Sequence, residues 1–323
     1  MPVNRQLNLG LAFSIWAALS LFAALYGTYL GYGGRAFAVA LGVFAFFFAG
    51  QVFLAAQSAR EAWLRGPARS AAWAAPLAPL AGYLVYAAGT RFTNPMLIAV
   101  AALYALVPPL LLSRVRGAPG RWQDYLAVLA IWLPVELRWP YKLWPYPHEL
   151  THTLTILFAL NVGLAAFLVL RRLDGIGYAV EWGPGFARSV GLHFVLFGAI
   201  AIPLGETIGF LHFGPSLARL RSLPLAALGM LLFTAWPEEF LFRGLLQNLL
   251  SRTLRSPLAG LLAASVVFGL AHINNGPFPN WRYVLLATLA GVFYWRVWMK
   301  TGSIFASCLV HALVDITWHL LFR

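Results

Sequence analysis

Glu238 and Glu239 stand side by side, with Arg243 four residues on, inside an apolar run that begins near Pro224 and continues through Leu250. Each ionisable group placed mid-bilayer costs roughly 2.5–3.5 kcal/mol on insertion scales, so three together require partners. The spacing supplies one. Glu239 and Arg243 share a helical face, whereas Glu238 projects about 100° away. Glu239 therefore reads as the charge-paired acid and Glu238 as the freer one. Pro237 removes the hydrogen bond to the carbonyl of Phe233, which predicts a kink or break just before the acids. Such a break is tolerated in a membrane where it lines a cavity.

Three further polar groups lie in later apolar runs. His272 closes the stretch Phe268-Gly-Leu-Ala-His272, and His311 and Asp315 sit four apart on one face of the last run. Dispersed in lipid, each would need its own partner; gathered into one cavity, they satisfy one another. Counted from the basic residues flanking these runs at about 1.5 Å per residue, Glu238, His272, His311 and Asp315 lie roughly 16–26 Å from one membrane boundary. They can share a site. A desolvated carboxylate beside a histidine can take a proton from water, and a neutral histidine with a short polar side chain can hydrogen-bond the oxyanion of a tetrahedral intermediate. Ser265 and Ser307 fall outside this pattern and read as small packing residues. Hydrolysis by an activated water is the chemistry these residues suit. Two histidines and a glutamate could instead hold Zn²⁺, which would activate the same water. The chain has no His-Glu-x-x-His signature, and those ligands would come from three helices.

The elements that must position these groups follow from composition. The 323 residues are 61% hydrophobic and 10% charged, with mean hydropathy +0.74. That is a polytopic membrane protein rather than a soluble globule. Apolar runs fall near 9–30, 36–56, 71–89, 95–112, 122–135, 152–170, 189–211, 223–250, 257–272, 283–299 and 303–321. They predict an all-α transmembrane bundle of about ten helices, with the short run around Tyr125–Pro134 re-entrant or interfacial. The net charge of +13 sits in short loops between runs, among them Arg60, Arg65 and Arg69, then Arg114, Arg116 and Arg121, then Arg171, Arg172 and Arg188. This is the positive-inside distribution, and no nucleic-acid partner is expected from it. It puts the amino terminus inside, provided all the runs span. The first run is too long for a signal-peptide core and reads as an uncleaved helix. Cys308 is the single cysteine, so no internal disulfide can form.

The segment Arg138–His148, rich in Trp, Tyr and Pro, reads as an interfacial aromatic anchor, with a lid over the site as the functional alternative. Loop 171–188 carries Gly and Pro and marks an internal boundary. It separates an amino-terminal membrane-embedded extension (1–185) from a core (186–323) that holds the intramembrane acids. Glu206 is an acid outside the motifs, read as either a support to the site or a structural hydrogen-bonding group.

Glu-Glu-x-x-x-Arg, then Phe-x-x-x-His, then His-x-x-x-Asp, in consecutive apolar runs, resembles the CAAX protease and bacteriocin-processing (Abi) family, related to the type II CAAX prenyl endopeptidase. The resemblance covers about residues 223–321, through Glu238, Glu239, Arg243, Phe268, His272, His311 and Asp315. It implies a multi-pass intramembrane endopeptidase of the glutamic type, acting on a membrane-anchored protein or peptide without a cofactor. A bacterial inner membrane is the expected location. Carried over, Glu238 and His272 would activate the water, and His311 and Asp315 would form the oxyanion site. Glu239 and Arg243 would pair to support them. Family members often carry Asn where this chain has Asp315, and an aspartate there could instead orient His311. Two other readings of the buried groups are a proton relay in a transporter and a non-catalytic immunity protein of the same fold.

Overall fold

A computed structural model describes residues 5–57, 60–61 and 73–322. Among them are eleven helices. The chain divides into two compact units, one of Gln6–Asp174 and one of Gly175 onward together with Arg5. The basic loop residues Arg65 and Arg69 lie outside the described residues.

The first unit contains α1 (Leu9–Tyr29), α2 (Gly34–Ala55), α3 (Ala74–Thr90), α4 (Pro95–Ser113), α5 (Trp122–Glu136) and α6 (Thr151–Gly163), which continues as a π-helix through Leu164–Leu170. Sequence punctuation sets the starts. Asn8 and Asn94 accept hydrogen bonds from the first turns of α1 and α4, and Pro95 takes the first helical position of α4, where no N–H is needed. The segment Arg138–His148 differs from an interfacial anchor. Trp144 is fully buried, with its ring 4.9–5.8 Å from those of Tyr86, Tyr83, Phe158 and Phe47. Trp139, at 60% exposure, is the residue that remains available to a headgroup layer. Periodicity cannot separate the two tryptophans, because Pro140, Pro145 and Pro147 leave the segment only a short 3₁₀ helix, Trp139–Leu143. Asp124 and Arg171 form a buried ion pair at 2.8 Å that ties the start of α5 to the end of α6.

The second unit contains α7 (Phe186–Thr207), α8 (Leu217–Thr253), α9 (Pro257–Leu270), α10 (Trp281–Thr301) and α11 (Ile304–Leu321). Ser256, Asn280 and Ser303 cap α9, α10 and α11 through their side chains. Gly291 lets α9 and α10 approach closely: a Cβ there would lie 2.9 Å from Ser265. Arg219, near the start of α8, donates to the carbonyls of His319 and Phe322 and satisfies the end of α11.

Among the described residues, seven helical segments are long and apolar enough to cross a membrane: α1, α2, α4, His148–Leu170, α7, α8 and α11. The protein is an integral, multi-pass membrane protein. The helix α9 is apolar but has only 14 residues, and α10 carries Arg282, Arg296 and Lys300.

Candidate active site

Helix α8 carries the acids and runs on past Pro237, the position of the expected kink or break, without interruption. Its register widens instead. Two π-helical stretches, Met230–Ala235 and Phe240–Gln247, bracket one α-helical turn at Trp236–Glu239. A switch to i→i+5 bonding skips one donor, so the helix passes the missing N–H of Pro237 without ending. The turn so isolated presents Glu238 and Glu239 to different surroundings.

Glu239 points into the protein and is fully buried. Its Oε2 receives Arg243 Nε at 3.2 Å and the Ser307 hydroxyl. Its Oε1 receives His311 Nδ1 at 2.9 Å. Three donors around one carboxylate stabilise the charge that burial would otherwise penalise. Among the described residues the Nη atoms of Arg243 have no hydrogen-bond acceptor, but the guanidinium lies 4.4 Å from the centre of the Phe268 ring and 5.2 Å from that of Tyr294. Aromatic faces supply the remaining attraction through their quadrupoles.

Glu238 faces the other way, with a side-chain exposure of 33%, into a cavity of about 240 Å³. Its Oε2 is buried and has no hydrogen-bond partner among the described residues. His272, His311 and Asp315 line the same cavity, so the four groups gathered by sequence depth do meet. The remaining wall is mostly apolar: Phe197, Ala201, Leu286 and Ala290 on one side, with Tyr283 and Trp318 on another.

Each histidine has one nitrogen fixed. His272 lies just beyond α9, and its Nδ1 donates to the carbonyl of Phe268 at 2.8 Å, one of the acceptors that the end of a helix leaves open. In the neutral ring Nε2 is then an acceptor. Packing against Tyr283 (4.6 Å between ring centres) and Phe268 (4.9 Å) restrains the ring. His311 is buried within α11 and stacks on Tyr294 at 4.7 Å. With Nδ1 held by Glu239, its Nε2 lies 3.5 Å from Asp315 and 3.9 Å from Glu238. Asp315 therefore stands beside the free nitrogen of His311, and the residue that orients the ring is Glu239.

Two residues escaped sequence reasoning. Ser307 does not merely fill space: its hydroxyl lies between the Glu239 carboxylate and the Tyr294 carbonyl, 3.0 Å from the latter. Its position four residues before His311 was the available signal, since both then face one partner. Tyr294 stacks on His311 and receives Arg243, from a helix that carries no motif residue. Ser265 is the packing residue expected, set against Gly291. Glu206 is exposed near the end of α7 and does not line the cavity. Cys308 is buried and free. Among the described residues, no group of three or more His, Cys, Asp or Glu side chains is arranged to hold a metal ion.

Residues 220–317 match the model of a known family, described as type II CAAX prenyl endopeptidase Rce1-like. The match runs from the start of α8 to beyond Asp315. No curated protein and no solved structure matches the chain.

Proposed function

Taking as premise that residues 220–317 form a domain of the Rce1-like CAAX endopeptidase family, we propose that this protein is an intramembrane endopeptidase of the glutamic type. It hydrolyses a peptide bond of a membrane-associated protein or peptide. The observation that carries the reading is the Glu238 carboxylate, turned into an apolar cavity with one buried oxygen lacking a partner, beside two histidines whose other nitrogens are already committed. The family match favours hydrolysis over a proton relay, which would use the same buried groups.

In the mechanism we propose, a water held by Glu238 and by Nε2 of His272 attacks the scissile carbonyl carbon as Glu238 takes its proton. The oxyanion forms on the side of His311, where a protonated Nε2 donates to it. Collapse of the tetrahedral intermediate breaks the C–N bond, and Glu238 returns the proton to the departing amine. Glu239 and Arg243 act as positioning residues: Glu239 holds His311, Arg243 holds Glu239, and neither lines the cavity. Asp315, 3.5 Å from Nε2, stands beside the nitrogen that faces the oxyanion. The apolar wall excludes water from the side chains flanking the cleaved bond, and this suits a substrate presented from the bilayer.

The test uses purified full-length protein and a membrane-anchored peptide identified as a substrate. Glu238→Gln keeps volume and hydrogen bonding but cannot take a proton. Loss of a general base costs about 10²–10⁴ in rate, so turnover should fall by at least two orders of magnitude with folding intact. Turnover near the wild-type rate removes Glu238 from the chemistry.

A further inference from the structure

A second concavity lies on the opposite side of α7 and α10 from the cavity. The two helices run antiparallel: Phe197 packs on Phe293, while Ala201, further along α7, shares the cavity wall with Leu286 and Ala287, earlier on α10. Between them a groove of about 760 Å³ is lined by Leu192, Leu196 and Ile200 of α7 and by Val292, Arg296 and Lys300 of α10, among others. Both sets are spaced by four, so each forms one stripe along its helix. The antiparallel arrangement puts both cations at the end of the groove nearer Leu192. Arg188, one turn before Leu192, is exposed at that same end.

We propose that this groove binds one anionic phospholipid, with its phosphate on Arg296 and Lys300 and an acyl chain along Leu192, Leu196 and Ile200. Charge complementarity identifies the occupant. No carboxylate lines the groove, and neither Arg296 nor Lys300 makes a hydrogen bond or ion pair among the described residues. Headgroup-level cations between helices attract anionic lipid, whereas the positive group of a zwitterionic headgroup would be repelled. The apolar stripe excludes an acidic peptide. Leu192, Leu196 and Ile200 are 44%, 46% and 50% exposed on a helix able to span the bilayer, and a peptide laid there would bring unsatisfied backbone groups into hydrocarbon. From Val292 to Lys300 the stripe is eight residues, or ~12 Å at the helical rise, which carries a ligand from the headgroup layer into the acyl region. Trp295 beside the cations suits the interfacial level.

Native mass spectrometry of the full-length protein in detergent tests this. Dioleoyl phosphatidylglycerol, dioleoyl phosphatidylcholine and inorganic phosphate are titrated in separate arms. One phosphatidylglycerol should bind in preference to phosphatidylcholine, and Arg296→Gln with Lys300→Gln should weaken it about thirtyfold, the loss expected for two headgroup-level cations. The charge-conserving Arg296→Lys with Lys300→Arg should retain binding, and Arg282→Gln, an exposed cation elsewhere on α10, should leave it unchanged. Equal affinity for the two lipids, or wild-type phosphatidylglycerol binding by the neutralised variant, overturns the proposal. So does free phosphate binding as tightly as the lipid, since the acyl stripe would then contribute nothing. Should the neutralised variant not fold, Leu196→Trp fills the groove while keeping both cations. Expulsion of phosphatidylglycerol by that change supports the site, and unchanged binding refutes it.

Discussion

Replacing Arg243 by alanine removes the cation that sits between the Glu239 carboxylate and two aromatic faces. Glu239 is fully buried and has no route to solvent, so its charge depends on Arg243 at 3.2 Å, His311 at 2.9 Å and Ser307. Breaking a buried pair by deleting one member costs about 3–5 kcal/mol, because the remaining charge is left uncompensated. The cation–π contacts with Phe268 and Tyr294 belong to the same guanidinium, so they are part of that loss rather than an addition to it. A destabilisation of about 4 kcal/mol corresponds to a fall in melting midpoint on the order of 10 °C. Arg243→Met combined with Glu239→Gln removes both charges at similar volume. It should recover part of the loss, as apolar replacement of buried pairs commonly does. Tryptophan fluorescence of the purified proteins, melted in one detergent and lipid mixture, reads both quantities. An Arg243→Ala protein that melts with wild type would mean that the pair is hydrated or unformed. A double variant that loses as much as the two singles together would mean that the residues do not interact.

Ser307→Ala deletes one of three donors to Glu239, and a hydrogen bond to a charged group contributes ~1.5–3 kcal/mol. Stability should fall by that order while turnover falls less than for Glu238→Gln; complete loss of activity in a stable Ser307→Ala protein would make the hydroxyl a nucleophile. His272→Gln should lower turnover by about 10²–10³ with little change in melting, since the ring packs at the cavity edge and, in the proposed mechanism, holds the water; unchanged turnover would leave Glu238 to act alone. Activity should persist without stoichiometric Zn²⁺, because metal ligation demands distances within about ±0.2 Å, whereas a hydrogen-bonded site tolerates looser geometry. Elemental analysis of active protein, followed by chelation and restoration, checks this. About one zinc per chain, with activity lost on stripping and regained with Zn²⁺, would turn the same residues into ligands and refute the glutamic reading.

Much of this protein follows from local rules that operate within a helix or between a side chain and lipid. Composition and run length make it an all-α membrane protein, because hydrocarbon admits no unpaired backbone and apolar runs of about 20 residues pair theirs internally as helices. The four-residue spacing of Glu239 and Arg243 makes them neighbours on any helix, and the spacing of His311 and Asp315 does the same. The high cost of isolated polar groups in lipid pulls Glu238, His272, His311 and Asp315 towards one cavity. Tertiary structure decided what depends on contacts between helices. That Glu239 orients His311, that Ser307 completes its donors and that Tyr294 lies under the imidazole are consequences of how α8, α10 and α11 are rotated about their axes. Rotation is set by close packing, such as the approach that Gly291 permits against Ser265, and no single run encodes it. The same holds for Trp144, whose type suits a headgroup layer but whose neighbours bury it. Pro237 shows the limit of even a local rule. Its missing donor is inherent in the residue, but whether a helix breaks or widens there depends on the packing around it, and in α8 it widens.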